Sequence, residues 1–249
     1  MGTERQGASR ISDRLSAVAR LIPPGRIVAD IGSDHAQLLV HLAEHQVLDR
    51  GIAGEVNRGP YENAADRVRE SGWSDRIDVR LGDGLKVLRP GEADVVVLAG
   101  MGGSLIASIL SRGKEKLDAT TQLVLQPNNH GDQVRRWLLE QGWEIKQEEL
   151  VKEGGILYEI VSASSGAPEH PYQGLPFSGD ILRKLGPLLC RDRHPLLGER
   201  VAEEVDRLDR ALDSLRSART PEAQMRQQQL AADRRRWEEV QSWLSQERI

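Results

Sequence analysis

Along the first 142 residues, five strand-like segments alternate with helical ones. Two further strand-like runs then follow with no helix between them. The five lie at 27–31, 51–56, 77–81, 94–99 and 122–126. The fourth, DVVVLA, is nearly all apolar, as a strand buried on both faces of a parallel sheet requires. Ile11, Leu15, Val18 and Leu21 or Ile22 recur at helical spacing over 10–22, and Pro23-Pro24-Gly25 stops that helix. Leu38, Leu39, Leu42 and Leu48 mark a second helix, starting near His35 or Ala36 and running to about Asp49. Pro60 suits the first turn of a third, and Val134, Trp137 and Leu138 share one face of a helix at 131–142. Residues 143–150 and 156–163 read as strands joined through Lys152-Glu153-Gly154-Gly155, a hairpin signal. Strand–helix alternation builds a parallel α/β sheet, and the closing hairpin predicts a last strand that joins it antiparallel.

The turns after these strands carry the chemistry. The first, within IVADIGSDHA (27–36), places Asp30 at a strand end and Gly32 where the chain must bend sharply. An ordinary βα turn has the same outline. A dinucleotide site needs G-x-G-x-x-G, whereas Gly32 is followed by Ser33, Asp34, His35 and Ala36, and the Asp34 charge opposes a pyrophosphate. An acidic turn instead suits the sulfonium and amino charges of S-adenosylmethionine. Glu55 ends the second strand, where an acidic residue accepts from ribose hydroxyls, and Asn57 follows. Gly82-Asp83-Gly84 permits a tight loop in which Asp83 can accept from an adenine amine. Gly100-Met101-Gly102-Gly103 follows the fourth strand and suggests backbone packed against something flat. Asn128, after the fifth, can hydrogen-bond a base edge.

Charged residues make up 29% of the chain and the formal net charge is -4, which argues against a broadly basic nucleic-acid binder. No apolar run is long enough to span a membrane, and MGTERQGASR lacks the apolar region of a signal peptide. Gln6 breaks the myristoylation pattern. Cys190 is the only cysteine, which excludes an internal disulfide and a cysteine-rich metal site. A cytoplasmic location, no metal and a monomer are expected. Residues 164–178 are rich in Ser, Gly, Pro and Ala, with 164–174 read as a linker between a domain at 1–163 and a helical one at 175–249. In the latter, Leu197, Val201, Val205, Leu208, Leu212 and Leu215 form a coiled-coil seam. Thr220-Pro221 opens a second helix with Leu230, Trp237, Val240 and Leu244, so an antiparallel helical hairpin is expected. Arg234-Arg235-Arg236 can touch phosphate or simply be solvated.

Jointly, VADIGSDHA (28–36), AGEVNRGPY (53–61), VRLGDGL (79–85), LAGMGG (98–103), LQPN (125–128) and LYEI (157–160) resemble the TrmK-like bacterial tRNA (adenine-22-N1)-methyltransferases. The resemblance is close over 10–163 and architectural in the tail. It implies a Rossmann-like methyltransferase sheet, mostly parallel with the last strand antiparallel, and a C-terminal antiparallel coiled coil that helps hold tRNA. It implies S-adenosyl-L-methionine as methyl donor. Asp30, Gly32, Ser33 and His35 then form the first cofactor loop, Glu55 holds the ribose with Asn57 nearby, and Asp83 and Gly84 meet the adenine. Gly100, Met101 and Gly102 occupy the place of the Asn/Asp-Pro-Pro-aromatic motif of many base methylases. Gly100 is assigned to the cofactor, and Met101, Gly102 and Asn128 to the reacting base. Gln37 departs from the family, which often has an aromatic residue there. Two other functions share these features: an S-adenosylmethionine-binding RNA module without chemistry, and a methyltransferase acting on another substrate.

Overall fold

The computed structural model describes residues 11–217 and 219–246. They form two compact units that divide between Gln173 and Gly174. The segment MGTERQGASR lies outside the described residues.

The first unit alternates as expected: α1 (Asp13–Arg20), β1 (Arg26–Ile31), α2 (Gln37–Glu44), β2 (Leu48–Glu55), α3 (Arg58–Glu70), β3 (Ile77–Leu81), β4 (Val95–Gly102), α4 (Gly103–Arg112), β5 (Gln122–Asn129), α5 (Gly131–Glu140), β6 (Trp143–Glu153) and β7 (Ile156–Ser165). The seven strands are ordered β3-β2-β1-β4-β5-β7-β6. β1 to β5 run parallel, and β7 pairs antiparallel with both β5 and β6. Gly154 and Gly155, at φ +58° and +81°, make the turn that joins the hairpin. The central strands contribute fully buried Val28, Ala29, Val97, Leu98, Val124 and Leu125, so the sheet is covered on both faces. Ser12 caps α1 through its Oγ, which accepts from the Leu15 N–H at 3.2 Å.

Several boundaries differ from the sequence pattern. α2 starts at Gln37, because Asp34, His35 and Ala36 all take positive φ. It ends at Glu44, and Leu48 belongs to β2. β4 runs on through Gly100, Met101 and Gly102, with bulged pairing to β5. β5 itself continues to Asn129. Residues 164–165 belong to β7, and His170–Tyr172 is a short 3₁₀ turn inside the stretch read as linker.

In the second unit, α6 (Gly179–Leu185) and α7 (Pro187–Arg191) precede α8 (Leu197–Ser214) and α9 (Pro221–Ser245). The two short helices escape a periodicity search because each offers about one or two turns. Arg193 reaches the Gln246 carbonyl, Arg234 reaches Asp209, and Gln227 reaches the Leu215 carbonyl, so α8 and α9 run antiparallel. Leu197, Val201, Val205 and Leu208 are buried, as are Leu230, Trp237 and Val240. Leu212, Leu215 and Leu244 are half-buried. Arg234 is tied to Asp209 and Glu238, and Arg236 to Asp233, so two of the three consecutive arginines are engaged within the hairpin.

Candidate active site

The carboxyl ends of β1, β2 and β4 form the site's frame, since parallel strands all deliver their turns to one edge of the sheet. Asp30 is 4% exposed on β1, and Glu55 is 6% exposed at the end of the adjacent β2. Burial, and after it the charges of Glu55 and Asp34, together raise the Asp30 carboxyl to about 7. Burial also raises Glu55, against the lowering effect of hydrogen bonds from Ser33 and Asp34. Ser33 Oγ donates to Glu55 Oε1 at 3.3 Å, and the backbone N–H groups of Ser33 and Asp34 also reach that carboxylate. Glu55 therefore ties the first turn to β2. Two buried carboxylates repelling each other, with no cation hydrogen-bonded to them among the described residues, make a receptor for positive charge.

The turn between them is strained. Gly32, at φ +72°, donates its N–H to the Gly54 carbonyl at 2.7 Å. Asp34, His35 and Ala36 follow at +42°, +65° and +53°, a run of left-handed conformations that each cost roughly 1–3 kcal/mol outside glycine. Ala36 offers no side-chain cap to the α2 N-terminus. His35 lies beside Asp34 (Nε2 to Oδ1, 3.7 Å) and lines a 520 Å³ groove with Glu44, Asp66 and Arg67. Gln37 begins α2.

The other sequence-assigned residues fall on the same edge. Asn57 is exposed and precedes α3 without a side-chain capping bond. Asp83 receives Arg112 at 2.9 Å and Lys86 at 3.4 Å, so its carboxylate is an ion-pair partner of α4. Gly84 is at φ +56°, and a side chain there would press on Ile109. Met101 is half-buried, and a Cβ at Gly32 would lie 2.3 Å from its methyl group. The Met101 side chain thus fills the space above Gly32 and joins the two glycine turns. Gly100 is exposed at φ +75°. A side chain at Gly102 would meet Asn129 Oδ1 at 3.1 Å. Asn128 is exposed, and its Nδ2 donates to the Gly100 carbonyl at 2.8 Å.

Sequence reasoning missed three features. Val56 and Leu81 are 60% and 53% exposed at the ends of β2 and β3, whose register pairs Glu55 with Leu81. Exposed apolar side chains beside a buried acid suit the flat face of a nucleobase. Gln126 is fully buried on β5 and bonds the Gly100 N–H at 3.0 Å. Arg14 on α1 donates to the same Gln126 oxygen. No local pattern announces an Arg–Gln contact spanning most of the sheet unit.

Comparison with known proteins gives the family and the fold. The family model for tRNA (adenine(22)-N(1))-methyltransferase, TrmK, matches residues 28–239. The tRNA (adenine(22)-N(1))-methyltransferase of Bacillus subtilis (strain 168) is 36% identical over 225 residues, spanning 90% of this chain and 94% of the relative. The crystal structure of the B. subtilis M1A22 tRNA methyltransferase TrmK aligns with a TM-score of 0.88 at 35% identity, covering 93% of this chain and 99% of that one. A Streptococcus pneumoniae protein crystallised with S-adenosyl-L-methionine aligns at 0.80 with 35% identity, covering 93% and 100%. The sheet with its antiparallel ending, the acidic glycine turns and these matches lead to one conclusion: the chain belongs to the TrmK family of tRNA (adenine(22)-N(1))-methyltransferases.

Proposed function

We propose that this protein transfers a methyl group from S-adenosyl-L-methionine to N1 of adenine 22 in tRNA. The carrying observation is the pair of buried carboxylates, Asp30 and Glu55, on adjacent strand ends. The bound cofactor would supply an electrophilic methyl group on a cationic sulfur. Asp30 and Glu55 fit its positive charge, the free lone pairs of Glu55 fit the ribose hydroxyls, and Val56 and Leu81 fit its base. Gly32, Ser33, His35, Asn57, Asp83, Gly84 and Gly100 complete the proposed cofactor site, and Met101, Gly102 and Asn128 the floor for the target base.

Adenine N1 is an in-plane lone pair, unprotonated at neutral pH. No side chain needs to make it nucleophilic, and positioning can supply up to ~7–11 kcal/mol. The target must be unpaired or flipped out to expose that edge. No helix among the described residues is long and apolar enough to cross a membrane. We take the enzyme to act in the cytoplasm as a metal-free monomer on tRNA. Incubation with labelled cofactor and unmodified tRNA, followed by nucleoside mass spectrometry, tests the assignment. N1-methyladenosine at position 22 is expected. Stable tRNA binding without methyl transfer would mark a binding module, and label on another acceptor a different substrate.

Two further outcomes follow from this assignment. Glu55→Ala removes both a ligand group and the tie on the first turn, so cofactor affinity should fall roughly ten- to a hundredfold. Calorimetry on the folded variant checks it, and unchanged affinity would remove Glu55 from the site. The tail is proposed as the tRNA-holding domain, with an antiparallel coiled coil as its arm. Residues 174–249 carry 14 Lys and Arg against 13 Asp and Glu, whereas 1–173 carry 20 against 25. Phosphate is repelled less by the tail than by the acidic sheet unit. A chain ending at Gln173 should keep its cofactor affinity and lose tRNA affinity by roughly ten- to a hundredfold. Filter binding and calorimetry on one preparation separate the two, and undiminished tRNA affinity would assign the tail another role.

A further inference from the structure

Three hydrogen bonds close a circuit at the site. The Gly100 N–H donates to Gln126 Oε1 at 3.0 Å, Gln126 Nε2 donates to Asn128 Oδ1 at 3.2 Å, and Asn128 Nδ2 donates to the Gly100 carbonyl at 2.8 Å. Arg14 adds a second donor to Gln126 Oε1. Arg14 is itself held, because its backbone N–H donates to Glu153 Oε2 at 2.8 Å and its guanidinium lies 5.4 Å from the Tyr158 ring centre.

The direction of this circuit is fixed from outside. A primary amide can exchange its oxygen and nitrogen by a half-turn, but a backbone N–H and C=O cannot exchange roles. Gly100 and Arg14 present only donors to Gln126, so the Gln126 oxygen must face them. Its nitrogen then faces Asn128, which must answer with oxygen. The Asn128 nitrogen is left to meet the Gly100 carbonyl. Reversing Asn128 alone would set donor against donor and acceptor against acceptor.

The accounting shows what remains. Both lone pairs of Gln126 Oε1 are used. Among the described residues, Asn128 Oδ1 and the Gly100 carbonyl each keep one, and both residues are exposed. Two open acceptors beside the glycine turn match a base that offers an amine next to its reactive nitrogen. We infer that Gln126 and Arg14 are positioning residues that lock the Asn128 amide with oxygen toward the exocyclic amine, so that the site selects an aminopurine. This rests on the proposed adenine N1 methylation.

The test uses full-length protein and two tRNAs, one with adenosine and one with amine-less purine riboside at position 22. Single-turnover methylation is measured at saturating labelled cofactor. Gln126→Glu keeps the acceptor for Gly100 and Arg14 but removes the donor to Asn128. It should slow adenosine about ten- to a hundredfold and purine less than about threefold, with cofactor affinity unchanged. Asn128→Ala, at an exposed position, removes the acceptor offered to the amine, should show the same asymmetry and serves should Gln126→Glu fail to fold. Arg14→Lys retains a donor and should restore most of the preference lost in Arg14→Ala. Equal losses on both tRNAs would reduce the circuit to a structural brace and overturn the inference. Wild-type protein that forms no N1-methyladenosine would overturn the functional assignment itself.

Discussion

Asp30→Asn is expected to stabilise the unliganded protein by about 2–4 kcal/mol at pH 8 while weakening cofactor binding roughly a hundredfold. The Asp30 carboxyl stands at about 7 in the folded chain against an ordinary 3.8, chiefly through burial and then through Glu55 and Asp34. A raised value means that the folded state binds the proton more tightly than the unfolded state. Asp30 therefore destabilises nothing below about pH 4, and the penalty grows as pH rises to about 7 and stays constant above it. Asparagine cannot ionise, so the variant should match wild type near pH 4 and exceed it at pH 8. Thermal melts at the two pH values check the sign; a variant less stable at pH 8 would sink the argument. A cation bound at Asp30 favours the ionised form. Wild-type affinity should accordingly weaken as pH falls below 7, with proton release that calorimetry detects in buffers of different ionisation heat.

That trade of stability against binding recurs in the first turn. Asp34, His35 and Ala36 hold three left-handed conformations in succession, next to two carboxylates whose repulsion the fold tolerates. Such strain persists where surrounding structure over-determines it, which here means the Gly32–Gly54 bond and the Ser33–Glu55 bond.

The legible parts of this fold are those encoded by neighbouring residues. The run DVVVLA marks a buried strand, and Gly154-Gly155 marks the hairpin that sets the last strand antiparallel. Asp30 and Glu55 could be placed at strand ends because the strands around them are strongly apolar. The extent of β4 through its glycines was not legible, since its bulged pairing with β5 depends on a partner distant in sequence. The left-handed run at 34–36 likewise replaces a helix start that local propensity favours. Asp83 looked like a free acceptor, yet Arg112 on α4 reaches it. Gln126 looked like an ordinary strand residue, and only the approach of α1 gives its amide a direction. Polar connections between elements far apart in the chain leave no periodic trace.

Arg135→Ala should cost about 3–5 kcal/mol, enough to leave a domain of ordinary stability barely folded. Arg135 lies on α5 and is fully buried. Its Nε donates to Glu148 on β6 and its Nη1 to Glu159 on β7, each at 2.6 Å. The two carboxylates hold the guanidinium well above its ordinary range despite the opposing effect of burial. Removing the arginine takes away the cation that both buried acids share, and breaking a buried ion pair costs more than the pair's net value. Replacing all three by Met, Gln and Gln should recover much of the loss. Denaturant titrations of the single and triple variants decide it, and a triple variant no more stable than the single one would point to lost packing alone. The consequence reaches the site, because a side chain at Gly131, where α5 begins, would strike Glu159 Oε1 at 2.0 Å. The triad thus sits directly beneath the helix that follows Asn128 and Asn129, and loosening it should loosen the strand end that carries the Asn128 amide.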